Sequence, residues 1–275
     1  MSFLQTIENM KTVRDFRDDP VPPTILKRLI NKTQSEKGLL PEATFSVRLI
    51  EDGPGFFQLL NGKAGYFGKM IAAPHYVVLF DETKAGVYEN SGYVMEKLRL
   101  AAWEEKLGTC WISLDEPIDA APWVVDPVEA PPMALVAIGY PESGLFLQDV
   151  LKKSARLPIT ELVYLEKWGH KCPVEELEVR GMTEIFYYGK LAPSWGNRQP
   201  WRFILHNEKI YLTIQVDEFE SRVRTDAGIV MLYLQKAAHD KGFSMSWQLL
   251  DNDPDLAGEM AIPGTDRLIG LFSFN

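Results

Sequence analysis

The chain has 275 residues, a formal net charge of -9 and 46% hydrophobic residues. This length and composition allow a large core, in one big domain or in two of ordinary size. The negative charge argues against a general nucleic-acid surface or an anionic-membrane surface, because both need a positive field, so any anion site must be local.

Targeting and metal signals are absent from the sequence. The first residues, "MSFLQTIENMKTVRDF", carry charges and have no apolar h-region, and no apolar run approaches the ~18 residues of a membrane span. Cys110 and Cys172 form no CxxC pair, and the four histidines show no metal-ligand spacing. No dinucleotide or P-loop fingerprint occurs. We therefore expect no metal, no nucleic acid, no membrane and a cytoplasmic location.

Hydrophobic periodicity predicts helices and strands along the whole chain. In chain order they are a helix in 22–33, a strand in 73–80, a helix in 91–111 ending near Gly108, strands in 131–141 and 210–216, a helix in 227–247 and a strand in 267–274. Between the two sets lies "LAPSWGNRQPWRF" (191–203), a Pro, Ser, Gly and Asn-rich loop that leads into an aromatic strand.

The second set of elements repeats the first at an offset of 136 residues. Without a gap, this offset places 91–111 on 227–247, Tyr76, Val78 and Phe80 on Leu212, Ile214 and Val216, and Met133 and Leu135 on Ile269 and Leu271. The alternative is that any two amphipathic helices share such letters. A repeat of this size favours two related halves, 1–157 and 158–275, packed face to face as a fused homodimer.

Four motifs resemble the nitroreductase family of FMN-dependent oxidoreductases, in a single-chain form with two tandem halves. They are "MKTVRDFRDDPV" (10–21), "LGTCWIS" (107–113), "KKSARLPITELV" (152–163) and "APSWGNRQPWRF" (192–203). The resemblance implies an α+β fold with mixed, mostly antiparallel sheets flanked by helices, and it implies FMN as the cofactor.

The basic motifs are the candidate site for the flavin phosphate, which needs charge-assisted donors in a chain of negative charge. The resemblance gives this role to Lys11, Thr12, Arg14, Lys153 and Arg156. The alternative is ordinary solvated surface charge.

The ring and ribityl contacts also follow from the resemblance. Lys69 matches the family's lysine at the pyrimidine end, and Tyr66 stands where the family often has asparagine. Trp111 belongs to the segment beside the flavin ring, in which the backbone of Ile112, Ser113 and Leu114 is the candidate neighbour of N5. Cys110, just before them, is expected to be a core thiol. The loop supplies Pro193, Ser194, Trp195 and Asn197, of which Ser194 and Asn197 hydrogen-bond the flavin and Trp195 covers the ring or the substrate.

The motifs are distributed asymmetrically between the halves. The basic motifs stand in the first half and the PSWGN loop in the second, while 33–43, "TQSEKGLLPEA", stands where the first half should carry that loop. Glu36 and Glu42 would repel a phosphate there. We expect one FMN per chain, in a site that a monomer can complete, with further self-association left open.

The expected function is transfer of a hydride from NAD(P)H through bound FMN to a small-molecule electron acceptor, a nitroaromatic, quinone or similar compound. No catalytic side chain is needed, because the flavin carries the chemistry. Relatives with this fold include dehalogenases and flavin-fragmenting enzymes, so the fold does not fix the reaction. The alternative from another class is a non-catalytic flavin or small-ligand binding protein with a degenerate nitroreductase fold.

Overall fold

The computed structural model describes residues 3–42, 44–114, 118–124, 126, 128–142, 156–216, 220–251 and 253–274. Its described residues form two compact units, one of 9–142 and one of 3–8 together with 156–274. None of the helices within these residues is long and apolar enough to cross a membrane.

The first unit is a four-stranded antiparallel sheet in the order β1-β2-β4-β3. Its elements are α2 (Pro23–Ser35), β1 (Ser46–Ile50), α3 (Gly53–Leu60), β2 (His75–Phe80), α4 (Val87–Glu104), β3 (Gly108–Ile112), a 3-10 turn (Ala121–Trp123) and β4 (Pro132–Gly139). The N-terminal helix α1 (Phe3–Asn9) precedes them in the chain.

Both faces of this sheet are buried. Val77 and Leu79 of β2 pack with Leu98 of α4, whereas the alternate residues Tyr76 and Val78 belong to the cluster around α3. All six residues of β2 are buried. A strand covered on both faces has a continuous apolar run rather than an alternating one, which explains the sequence of this strand.

The second unit is a five-stranded sheet in the order β5-β6-β7-β9-β8, in which β5 runs parallel to β6 and the other pairs are antiparallel. Its elements are α5 (Ile159–Leu162), β5 (Val163–Leu165), α6 (Val174–Val179), α7 (Thr183–Gly189), a 3-10 turn (Trp195–Asn197), β6 (Trp201–His206), β7 (Lys209–Gln215), α8 (Glu220–Asp240), β8 (Met245–Leu249), α9 (Pro254–Glu259) and β9 (Asp266–Phe274). The expected α+β class with mostly antiparallel sheets and flanking helices is confirmed.

Residues 3–8 pack within the second unit although they begin the chain. The ring of Phe3 meets that of Tyr233 edge to face at 5.8 Å, and the Tyr188 hydroxyl donates to Glu8 at 3.4 Å. The division of the chain between residues 157 and 158 stays a prediction. Hydrophobic periodicity gives no sign that residues 3–8 pack with the second unit.

The repeat recurs in the topology, since β1-β2-β4-β3 and β6-β7-β9-β8 have the same order around α4 and α8. Both helices end in a Schellman motif at the same offset of 136. Leu107 N–H donates to Ala102 and Phe243 N–H to Ala238, each at 2.9 Å. The following strands pair alike, with Trp111 opposite Val136 and Trp247 opposite Phe272. The repeat is therefore confirmed from α4 to β4.

Three details of the sequence prediction are wrong. One is the helix predicted in 227–247, which ends at Asp240, since Met245–Leu249 forms β8. Tyr76 lies opposite Ala137, but Leu212 lies opposite Gly270 and not Ser273, so β7 is displaced by three residues from the ungapped register. Residues 210–214 of β7 are all buried, so the strand is a continuous buried run with no alternation that would fix its alignment. The helix predicted to end near Gly108 ends at Glu104, because Lys106 adopts a left-handed conformation (φ 62°).

Gly242 occupies the position in the second unit that Lys106 occupies in the first, with φ 84°. A Cβ at Gly242 would meet no atom within 4 Å, so a change to alanine tests the backbone conformation alone. We expect Gly242→Ala to lower the free energy of unfolding by about 1 kcal/mol in urea titrations. Gly258→Ala, in α9 and equally uncrowded, is the control and should leave stability unchanged or raised. Equal effects of the two variants would contradict this account.

Candidate functional site

The N-terminal basic segment lies along β3, which is an edge strand of the first sheet. Thr12 forms a parallel bridge with Thr109, and Val13 N–H donates to the Thr109 carbonyl at 3.0 Å. A Cβ on Gly108 would come within 2.6 Å of a Val13 methyl group, so glycine permits this close approach. The segment thus covers part of the strand edge and presents Lys11 and Arg14 as exposed residues.

A glycine-rich loop, residues 62–69, adjoins the other end of β3. Gly65 N–H donates to the Ser113 carbonyl at 2.9 Å, and Lys69 N–H donates to the Tyr66 carbonyl at 3.1 Å. Tyr66 is 53% exposed and contacts the still more exposed ring of Phe67. Thr12 therefore lies near the start of β3, and Ser113 and the loop of Tyr66 and Lys69 lie at its end.

Arg14 and Lys69 are exposed cations at this strand. Within the residues that the structure describes, neither head group makes a hydrogen bond or an ion pair. The charge of Arg14 does reach β3, since burial raises the pKa of the Cys110 thiol while Arg14 and Arg99 act in the opposite direction. Cys110 is buried and donates to the Trp111 carbonyl at 3.4 Å, as expected for a core thiol.

A buried ion pair beneath β3 escaped the sequence analysis. Arg99 donates to Glu96 at 2.7 Å and to the Thr109 hydroxyl at 3.1 Å, and the Trp111 indole donates to Glu96 at 2.8 Å. The side chains of Glu96 and Arg99 are 0% and 2% exposed. The only signal was a Glu and an Arg three residues apart, in a helix that carries other polar residues such as Glu89 and Lys97. This cluster fixes the orientation of Trp111.

The PSWGN loop is stabilised by its own polar groups. The Ser194 hydroxyl accepts from Gln199 N–H at 2.9 Å, and the Ser194 carbonyl accepts from Asn197 N–H at 3.0 Å. Gly196, Asn197 and Gln199 all have positive φ angles, between 50° and 58°. Two of these residues are not glycine, so the loop holds backbone strain that its surroundings must compensate.

The last basic motif meets this loop. Arg156 donates to the Asn197 side-chain oxygen and, at 3.3 Å, to the Leu191 carbonyl, while Leu157 N–H donates to Gln199 Oε1 at 2.7 Å. Arg156 was assigned to the first half, but these contacts lie within the second unit. Lys153 lies outside the described residues.

Asp226 of α8 is the second feature that the sequence did not reveal. Both carboxylate oxygens accept from Trp195 N–H, at 3.0 and 3.1 Å, and Arg222 lies over the Trp195 ring at 4.4 Å. Burial raises the pKa of Asp226 to about 8, while the Trp195 N–H and the charges of Arg156, Arg198 and Arg222 act in the opposite direction. A carboxyl group of α8 therefore holds the loop at its centre.

The loop that follows α2 in the first unit is held in the same way. Asn90, 136 residues before Asp226, accepts from Leu39 N–H at 2.8 Å and from Leu40 N–H at 3.3 Å through Oδ1. The repulsion expected from Glu36 is offset, because Glu36 pairs with Lys97 at 3.1 Å. In the described part of the chain, no group of three or more His, Cys, Asp or Glu side chains is placed to hold a metal ion.

The fold of the two units is the nitroreductase fold. A crystal structure of a "putative nitroreductase" from Thermotoga maritima matches with a TM-score of 0.60 and 19% identity, over 100% of this chain and 94% of that chain. An FMN-bound nitroreductase from Bacteroides fragilis matches with a TM-score of 0.46 and 18% identity, over 58% of this chain and 99% of that chain.

The family itself is shown by sequence. A family model described as "Putative TM nitroreductase" matches residues 2–238, and the chain belongs to that family. No curated protein matches the chain.

The buried ion pair gives a stability prediction, since the repeat places Leu232 and Gln235 at the positions of Glu96 and Arg99. Glu96→Leu or Arg99→Gln alone should lower the free energy of unfolding by about 3 kcal/mol, because each leaves a buried charge without its partner. The double variant should cost less than the sum of the two. Urea titrations of the three variants measure this coupling.

The control is Glu161→Gln, which removes an exposed pair with Lys171 and should cost less than about 1 kcal/mol. Additive effects of Glu96→Leu and Arg99→Gln would show that the pair does not act as a unit.

Proposed function

We propose that this protein is an FMN-dependent oxidoreductase that transfers a hydride from NAD(P)H through bound flavin to a nitroaromatic, quinone or similar small-molecule acceptor. Membership in the nitroreductase family supports the general class. The structural observation that carries the cofactor assignment is the pair of exposed cations, Arg14 and Lys69, placed at β3 without an ion-pair partner among the described residues.

The residues present fit the requirements of FMN. A phosphate with nearly two negative charges needs charge-assisted donors, and Lys11 and Arg14 supply them on the segment that lies along β3. A flavin ring that gains negative charge on reduction needs fixed donors along its edge. Lys69 and the backbone around Ser113, which the Gly65 hydrogen bond holds near that lysine's loop, are such groups.

The second unit carries groups that suit a polar ligand. The Ser194 hydroxyl accepts from Gln199 N–H and keeps its own hydrogen for donation, and the Asn197 amide is oriented by Arg156. Gly196 has no side chain that would keep a ligand from the backbone. We propose that these residues bind the ribityl chain or the ring.

The flavin, when bound, supplies hydride acceptance and donation, and the protein supplies orientation and electrostatics. In this proposal Glu96 fixes the orientation of Trp111 through a hydrogen bond. The bridge between Thr12 and Thr109 keeps Thr12 and Arg14 at the edge of β3. No side chain acts as a nucleophile or as a general acid.

Anaerobic reduction tests the proposed function. The purified chain, saturated with FMN, should lose its absorbance near 450 nm (about the oxidised-flavin maximum) when NADH or NADPH is added, and should regain it with a quinone or nitroaromatic. FMN that binds but is reduced by neither nucleotide would favour a non-catalytic flavin-binding protein. A chain that cannot bind FMN would refute both flavin functions.

Arg14→Ala tests the phosphate assignment. Loss of one charge-assisted hydrogen bond should weaken FMN by roughly 10- to 100-fold in Kd. Riboflavin, which lacks the phosphate, should be affected much less. Arg14 is a cleaner position than Arg156, because Arg156 also holds Asn197 and Leu191.

The matched control is Arg17→Ala, which removes the same charge three residues later, from an exposed pair with Asp19. It should leave both ligands almost unaffected. Equal losses of FMN and riboflavin in Arg14→Ala, or equal losses of FMN in the two variants, would reject the assignment.

A further inference from the structure

Asp226 makes an unusual attachment between a helix and a loop. Its carboxyl group is buried on α8, and it accepts the Trp195 N–H with both oxygens. Burying a carboxyl group costs free energy unless the group is hydrogen-bonded, and the contact with Trp195 N–H offsets part of that cost. The contact lies at the start of the 3-10 turn, next to Ser194 and two residues before Asn197.

A short series of hydrogen bonds connects Asp226 of α8 to Arg156 through the loop. Trp195 N–H is bound to Asp226, Asn197 N–H is bound to the Ser194 carbonyl, and the Asn197 side chain is bound to Arg156. The Arg222 guanidinium over the Trp195 ring adds a second attachment of α8 to the loop. Because Asn197 and Gln199 have positive φ angles, the loop depends on such external attachments for its shape.

Asn90 shows which property of the side chain the attachment needs. At the repeat-related position in the first unit, one amide oxygen accepts from Leu39 and Leu40 N–H without any charge. Burial likewise disfavours the charged form of Asp226, whose pKa it raises to about 8. An acceptor at this helix position is therefore sufficient to hold a loop.

We propose that Asp226 is a positioning residue for the flavin, which holds residues 193–199, and through Asn197 the guanidinium of Arg156, in the arrangement that receives the cofactor. This inference rests on the proposed function and names a residue outside the four motifs. The equivalent attachment at Asn90 holds a loop that lacks the PSWGN residues. It is therefore a matched control for loop anchoring that has no ligand role.

The test compares FMN affinity, measured by quenching of flavin fluorescence, in the full chain and in three variants. Asp226→Ala should weaken FMN by about 10-fold or more, because Trp195 N–H loses its acceptor. Asp226→Asn should stay within about 3-fold of the parent chain, because the amide oxygen remains. Asn90→Ala should also stay within about 3-fold, although it removes an equivalent anchor.

Thermal unfolding of each chain without FMN separates positioning from stability. If Asp226→Ala does not fold, Asp226→Ser takes its place, since a serine hydroxyl is too short for the loop and can bond to the helix backbone instead. The same weakening of FMN is expected from it.

Each other result overturns the inference. Unchanged FMN affinity in Asp226→Ala would show that the loop needs no anchor. Equal weakening by Asp226→Ala and Asn90→Ala would indicate a general loss of structure, and equal weakening by Asp226→Ala and Asp226→Asn would show that the charge matters rather than the acceptor. Failure of the parent chain to bind FMN would instead refute the proposed function, and the inference with it.

Discussion

Burial of both faces of the first sheet limits where polar groups can lie in that unit. Val77 and Leu79 face one apolar cluster while Tyr76 and Val78 face the other, so the strands of the sheet interior have no surface for a ligand. What remains are the edge strands β1 and β3 and the segments attached to them, and the predicted site residues of this unit lie at β3. The Thr12 bridge to Thr109 and the Gly65 hydrogen bond to Ser113 bring the predicted residues to this edge.

Helix side chains that accept backbone hydrogen bonds are the second constraint on the candidate site. A loop of irregular backbone leaves N–H groups that must find acceptors when they are buried. Asn90 and Asp226 satisfy this need from the same helix position in the two units. Because each acceptor sits on a helix that packs against its sheet, the position of the loop is determined by the core of its own unit.

The sequence revealed those features that leave a local signature. Gly242 marks a helix end by its residue type, whereas Lys106 adopts the same left-handed conformation without such a mark. Both predicted helices nevertheless ran too far, because apolar residues continue past each helix end into the following strand. The family resemblance named Thr12, Lys69 and Asn197 as candidate site residues, and their roles stay predictions. The resemblance could not locate Asp226 or Asn90, whose partners lie 31 and 51 residues away along the chain. The displacement of β7 was missed because apolar strands look alike after a shift.

The buried polar groups of α4 and α8 differ at equivalent positions. Each difference corresponds to the segment that the helix contacts in its own unit. In α4, Glu96 and Arg99 are turned to Trp111 and Thr109 of β3, where α8 has Leu232 and Gln235. In α8, a carboxyl group at 226 holds the PSWGN loop, where α4 has the uncharged Asn90. A buried ionisable side chain is expensive and survives where it orients another group. In each unit the buried ionisable groups thus lie beside a segment that resembles a motif of the family.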